Sequence, residues 1–330
     1  MGFLPQRYSY KKVTWRFAVI IIDILCIPLS FFIPKKKFSA IHLIKGSRVL
    51  ISHFGGIGDI ILAEPLVRAL KRRFPGCAID MGVRAEVADT CLLLPGVDRV
   101  ITLPLAKNYL AAWLHFGFSF CKKIKHTYAM GFDLKGDPFV IACMFGAGIP
   151  FRLGFDSGGL SALLHHSNSP REDISKAQAS LELADFYNTS KDDIEPQLTL
   201  NQTKIKTLKN EKPLIVFHQG AGEDSKLWPR QSWEELCTLL SLEYRVEEIK
   251  IGEGSILQAA ARINQADAYI GLDTGLTHIA SALHRPTLCL FSTSHNPIVW
   301  GPARARILLF APYSVDLLPQ VVYDELKTIV

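Results

Sequence analysis

Arg48-Val-Leu-Ile-Ser-His-Phe-Gly-Gly-Ile-Gly-Asp-Ile-Ile-Leu-Ala63, running on to Phe74-Pro75-Gly76, decides the fold class. Arg48 to Ser52 is a short apolar run, Gly55-Gly56-Ile57-Gly58 is a turn, and Asp59 to Phe74 has the apolar period of a helix. The same alternation continues outward. Ala78 to Gly82, Arg99 to Leu103 and Tyr128 to Leu134 read as strands. Helices are predicted over Glu86 to Leu94, 105–125 and Pro138 to Phe145. After a polar stretch at 186–212, a second series begins at Pro213-Leu-Ile-Val-Phe217. It has helices over Ser232 to Leu242, Ser255 to Ala266 and Leu276 to Leu283, and strands at Ala268 to Leu272 and Thr287 to Phe291. Strand and helix alternating at this spacing predict mostly parallel sheets covered on both faces. The expected division is 1–46 as a membrane-associating segment, 47–190 as a first Rossmann-like domain, 191–212 as a linker and 213–330 as a second. A ligand belongs in the cleft between them, at the carboxyl ends of the strands.

Composition agrees with two folded domains. The 330 residues exceed one ordinary domain, and 48% hydrophobic with 21% charged residues excludes a disordered or collagenous chain. Net charge is +6, carried by clusters such as Lys35-Lys36-Lys37 and Lys71-Arg72-Arg73. No zinc-finger spacing or arginine-aromatic alternation accompanies them, so a membrane surface or an anionic substrate is expected and nucleic acid is not. The seven cysteines form no Cys-x-x-Cys pair, which reads as reduced thiols in a cytoplasmic protein.

Residues 17–34 are strongly apolar but carry Asp23 and Pro28, with Arg16 before them and three lysines after. The preferred reading is a helix lying in the membrane interface, its lysines facing anionic lipid. A signal-anchor and a buried core helix are the alternatives.

Three loops follow predicted strands and open helices. In the first, Gly56 and Gly58 let backbone amides approach an anion, and Asp59 is either a helix-start carboxylate or a general base. A dinucleotide fingerprint would need glycine where Ile61 stands, although Asp80 lies about where a ribose-binding acid would. The second loop runs from Gly220-Ala221 to Lys226-Leu-Trp228-Pro229, where Lys226 can neutralise a phosphate or lie solvated at the surface. The third is Asp273-Thr274-Gly275-Leu276-Thr277-His278. Its amides and two hydroxyls suit an anion, Asp273 could instead cap the helix, and His278 could face the ligand or the core.

Taken together these residues resemble glycosyltransferase family 9, the heptosyltransferases. The resemblance is carried by Gly58-Asp59 through Pro75, Leu94-Pro-Gly-Val-Asp-Arg-Val-Ile101, Phe132-Asp-Leu-Lys-Gly136 and Arg152-Leu-Gly-Phe155. It continues through Gly220-Ala221, Lys226-x-Trp228-Pro229, Asp273-Thr-Gly-x-x-His278 and Trp300-Gly-Pro302, covering about 47–302 in order. It implies a GT-B fold and an inverting transfer of heptose from ADP-heptose to the lipopolysaccharide inner core, at the cytoplasmic face of the inner membrane. It makes Asp59 the catalytic base, and it gives Lys226, Asp273, Thr274, Gly275 and His278 to the donor diphosphate. Neither a metal nor another cofactor is expected, and the partners are the nucleotide-sugar donor, a lipid-linked saccharide acceptor and the membrane surface.

One departure stands out. The family has a further strand, a turn with a ribose-contacting glutamate and a helix before the segment that begins here at Ser255. Only Glu243 to Glu253 fills that place, so the second domain is expected to be shortened. Glu247, Glu248 and Glu253 are ribose candidates by residue type alone. The shortening also favours the alternative reading, a non-catalytic relative that binds a sugar nucleotide or a partner enzyme.

Overall fold

The computed structural model describes residues 43–103, 119–200, 212–250 and 252–330, together with 23, 28, 31, 33–35 and 38. The first half is a six-stranded sheet of β1 (Arg48–Ser52), β2 (Ala78–Arg84), β3 (Arg99–Leu103), β4 (Met130–Asp133), β5 (Arg152–Phe155) and β6 (His166–Asn168). Every pairing is parallel and the order is β3-β2-β1-β4-β5-β6, the common doubly wound arrangement. Helices α1 (Ile57–Leu62), α2 (Glu64–Arg73), α3 (Pro138–Gly146), α4 (Lys176–Leu183) and the single turn α5 (Lys191–Ile194) connect and follow these strands. Ala85–Leu93, expected to be α-helical, is instead a run of 3-10 turns. The helix expected over 105–125 is seen at 119–124, the rest of it lying outside the described residues.

The second half is a parallel five-stranded sheet ordered β11-β10-β9-β7-β8. Its strands are β7 (Leu214–His218), β8 (Arg245–Glu248), β9 (Ala268–Leu272), β10 (Thr287–Ser292) and β11 (Arg306–Phe310). Its helices are α6 (Arg230–Glu243), α7 (Ile256–Gln265), α8 (Gly275–Ala282), α9 (Pro297–Trp300) and α10 (Pro319–Lys327). Counted as in the first sheet, the strand outside β8 is the one with no counterpart. The chain passes from β8 almost directly into α7, whose N-terminus is closed by a reciprocal Ser255–Gln258 cap. β8 is therefore an edge strand, and its charged sequence Arg245-Val-Glu-Glu248 suits an edge.

The halves share a core. Ile60, Ile61, Leu66 and Leu70 from the first belong to one buried apolar cluster with Ala260, Ile263, Ile279 and Ala280 from the second. At its centre α1 lies against α8. A β-carbon on Gly275 would come within 2.5 Å of Ile57 Cβ, and one on Gly58 within 2.9 Å of the His278 ring. Each glycine is the residue that lets the two helices approach.

The connection between halves is pinned by a buried acid. Glu64 receives Arg68 Nε at 3.0 Å and the Gln197 N–H at 2.9 Å, and Arg68 also donates to the carbonyls of Asp192, Asp193 and Glu195. Burial raises the Glu64 pKa, with Arg68 opposing.

Most of the apolar N-terminal segment lies outside the described residues. Of those described, Asp23 accepts the Leu160 N–H, Ile33 is buried and Phe38 packs against Phe74, Phe132 and Phe186. Lys35, expected to face lipid, turns its ammonium group inward to the Leu164 carbonyl at 2.7 Å. Among the described residues no helix is long and apolar enough to cross a membrane.

Candidate active site

Asp59 occupies the third position of α1. Its Oδ2 accepts the Gly56 N–H at 2.7 Å, which fastens the helix start. The cap uses one oxygen only. Oδ1 faces His53 Nε2 at 3.8 Å, and Asp59 stays partly open to solvent. His53 stands just past the end of β1, its own N–H bonded to the Gly82 carbonyl at 2.9 Å. Arg84, Lys135 and Lys176 surround it with positive charge. Burial pushes the His53 pKa down, these three cations push the same way, and Asp59 opposes. The ring is held neutral.

Lys226 ends a 3-10 turn, Asp224–Lys226, that the Ser292 hydroxyl anchors by donating to the Ser225 carbonyl at 2.6 Å. Its ammonium group meets Asp273 Oδ2 at 2.6 Å, with Lys226 17% and Asp273 6% exposed. Asp273 does not cap α8; Thr274 is the cap residue and makes no side-chain cap bond. The Thr274 hydroxyl is enclosed without a hydrogen-bond partner among the described residues. The other hydroxyl of the expected anion cradle is spent internally, since Thr277 Oγ1 donates to the Leu272 carbonyl. The N–H groups of Thr277 and His278 turn back to Thr274 O, which leaves the Gly275 and Leu276 amides at the positive end of α8 without a partner among the described residues.

His278 joins the three loops. Its Nε2 lies 3.9 Å from Asp273 Oδ1, and its ring packs on Gly58, one residue before Asp59. Burial lowers the His278 pKa, with Asp273 and Asp59 opposing and Lys226 reinforcing. Asp59, Lys226, Asp273 and His278, 219 positions apart at the extremes of the sequence, thus come together around the α1–α8 contact. Gly58 and Gly275 are also the points at which α1 and α8 approach each other. Gly220 and Ala221 lie half-buried in the loop after β7, beside the Lys226 turn.

Sequence reasoning missed two site residues. His53 was readable in principle, because it ends a strand at the carboxyl edge of a doubly wound sheet. Lys176, the first residue of α4, has no local signal. Its Nζ sits 4.9 Å from the centre of the Trp300 ring and so bridges the halves. Burial lowers its pKa, with Asp59 and Glu172 opposing. A second bridge runs from Asn296 Nδ2 to the Glu172 carbonyl at 2.8 Å.

Four acids were candidates for a ribose contact. Asp80 is not near the cleft mouth; it lies fully buried in mid-β2, bound by Arg48 at 2.6 Å and by the Tyr128 hydroxyl at 2.6 Å. It is a structural carboxylate. Of the three glutamates considered for ribose, Glu247 pairs with Arg262 at 2.5 Å and Glu253 is exposed. Glu248 accepts Gln219 Nε2 at 2.6 Å and lines a cavity of about 740 Å³ that also touches Asp224, Leu227, Trp228 and Tyr313. That volume is in the range of small-ligand sites, and it adjoins the Lys226 turn. Among the described residues no group of three or more His, Cys, Asp or Glu side chains could hold a metal ion.

Two doubly wound parallel sheets that share one core define an α/β protein. The match to known proteins is narrower. The chain belongs to glycosyltransferase family 9 (heptosyltransferase), whose family model matches residues 118–246 and 249–316. That span includes Lys226 and the Asp273 loop and begins after Asp59. Lipopolysaccharide heptosyltransferase 2 of Salmonella typhimurium is 25% identical over 345 positions, covering 86% of this chain and 98% of the relative. Lipopolysaccharide heptosyltransferase 1 of Escherichia coli K12 is 21% identical, covering 86% of this chain and 100% of the relative. Since 86% of 330 residues cannot fill 345 aligned positions, the Salmonella relative carries residues with no counterpart here, in keeping with a shortened second half. The fold is similar to that of E. coli ADP-heptose lipopolysaccharide heptosyltransferase II (TM-score 0.69, 23% identity, covering 86% and 98% of the two chains). It is also similar to E. coli heptosyltransferase WaaC with ADP (TM-score 0.67, 17% identity, covering 86% and 100%). The protein is a glycosyltransferase of the heptosyltransferase family.

Proposed function

We propose that this enzyme transfers a heptose from ADP-heptose to an inner-core saccharide of lipopolysaccharide, with inversion at the anomeric carbon. The observation that carries the reading is the meeting of Asp59, from one half, with the Lys226–Asp273–His278 chain, from the other, across one cleft. Asp59 Oδ1 takes the proton from an acceptor hydroxyl as that oxygen attacks the anomeric carbon, while the carbon–oxygen bond to the diphosphate breaks on the opposite face. Lys226, together with the amides of Gly275 and Leu276 at the start of α8, stabilises the charge gathering on the diphosphate. Because that charge is met by a lysine and a helix terminus, the transfer needs no metal ion. The nucleoside end of the donor occupies the cavity beside Glu248, whose carboxylate accepts the Gln219 side-chain amide. The lipid-linked acceptor enters from the side of Lys135 and Lys176. The enzyme works at the cytoplasmic face of the inner membrane, held there by its apolar N-terminal segment. Both relatives named above are lipopolysaccharide heptosyltransferases by name, and both E. coli structures carry heptosyltransferase names, which supports the donor and acceptor assignments.

Calorimetric titration with ADP, UDP and GDP tests the donor assignment. ADP is expected to bind selectively, and Lys226→Ala to weaken it about 10- to 100-fold, the scale of one hydrogen bond to a charged group. Selective UDP or GDP binding would replace the donor. Unaltered ADP binding by Lys226→Ala would remove Lys226 from the diphosphate site.

A further inference from the structure

Beyond the acid that takes the proton, the cleft holds a histidine whose placement has no structural explanation. His53 is only 12% exposed, and its backbone is tied to β2 through Gly82. Its Nδ1 is enclosed with no hydrogen-bond partner among the described residues. Buried ring nitrogens are ordinarily satisfied, so an orphan beside a functional carboxylate calls for a reason. The other ring nitrogen, Nε2, points at Asp59 Oδ1 from 3.8 Å, the oxygen that the Gly56 cap leaves free.

We propose that His53 is a positioning residue for the transfer, its Nε2–H holding Asp59 Oδ1 in line with the acceptor hydroxyl. The distance is longer than a hydrogen bond, as catalytic contacts commonly are before substrate closes the site. A neutral ring with its proton on Nε2 is the species the role requires, and the surroundings select it. Arg84 at the end of β2, Lys135 beyond β4 and Lys176 at the start of α4 disfavour a charged imidazole, with Asp59 opposing them. An imidazolium would pair with Asp59 and cancel the base. On the neighbouring strand end, Arg84 Nε is also a buried donor without a hydrogen-bond partner among the described residues. A donor reaching Nδ1 would fix the proton on Nε2.

This inference rests on Asp59 being the base, and three measurements keep the two apart. Steady-state transfer by His53→Leu is expected to lose about 10²-fold in kcat, the scale of a misplaced reacting group, with ADP affinity by calorimetry unchanged. His53→Gln, which restores an amide donor at similar reach, is expected to recover most of that loss. In imidazole-labelled wild-type enzyme, the His53 resonance is expected to titrate below the ordinary histidine range, and lower still in Asp59→Asn. Wild-type kcat in His53→Leu while Asp59→Asn is inactive would overturn the positioning role alone. Full activity in Asp59→Asn would overturn the base reading beneath it. If His53→Leu melts early, the Gln variant and the wild-type titration decide. A His53 resonance indifferent to Asp59→Asn refutes the coupling.

Discussion

Gly275→Ala probes the contact on which the site depends. The new methyl group would stand 2.5 Å from Ile57 Cβ and 2.6 Å from its Cγ2, where ordinary van der Waals contact begins near 3.4 Å. Ile57 Cβ is fixed to the backbone of α1, so no side-chain rotation relieves the clash. The helices must separate by about 1 Å in a core that packs as densely as a crystal. Overpacking of this kind costs about 1–3 kcal/mol. Asp59 rides on α1 and His278 on α8, so the same displacement opens the cleft between the base and the diphosphate loop. A misplacement of about 1 Å is expected to lower kcat about 10²-fold. Urea melting and steady-state transfer measure the two effects. Gly146→Ala is the control, because its β-carbon would meet nothing nearer than Cys121 Sγ at 3.5 Å; it should melt like wild type or slightly above it. Wild-type stability and activity in Gly275→Ala would refute the docking of α1 on α8.

Asp80→Asn should lower stability by about 1.5–3 kcal/mol, through its lost bonds to Arg48 and Tyr128, while ADP affinity stays unchanged. A changed affinity in a folded variant would return Asp80 to the nucleotide site. Stability should also fall as pH drops below about 6.5, the ordinary histidine value from which burial lowers both His53 and His278. In that window the unfolded chain takes up protons that the folded one refuses, so acid favours unfolding, and the loss is complete below the folded values. Urea midpoints between pH 7.5 and 5 read the slope, which His278→Gln should flatten; an unchanged slope would contradict a neutral buried His278.

The parts of the fold legible in sequence were those with local punctuation. β1, β7 and β9 are apolar runs closed by glycine loops, and each was read at nearly its observed bounds. Ser255 announced α7 through its cap. β8 was not read as a strand because an edge strand bearing Arg245, Glu247 and Glu248 lacks a hydrophobic run. β5 and β6 are four and three residues long, too short for a period to show. At the site, residue types and loop positions singled out Asp59, Lys226, Asp273 and His278, and the structure brings them together around the α1–α8 contact. What each neighbour does was less visible. A glycine beside an anion loop reads alike whether it admits a phosphate or a helix, and only the fold places Gly58 against His278 and Gly275 against Ile57. Asp80 could not be told from a ribose acid because β2 is buried on both faces and shows no alternation. Lys176 reaches the cleft from an element more than a hundred residues beyond Asp59, which no spacing rule anticipates.

Transfer from ADP-heptose by Asp59→Asn, set beside its ADP affinity, tests the central assignment most directly. The asparagine oxygen can still accept the Gly56 N–H, so the start of α1 survives and only the basic oxygen is lost. The account predicts a fall in kcat of about 10²- to 10⁴-fold with ADP binding and melting unchanged. Transfer within a few-fold of wild type would show that the proton leaves by another route.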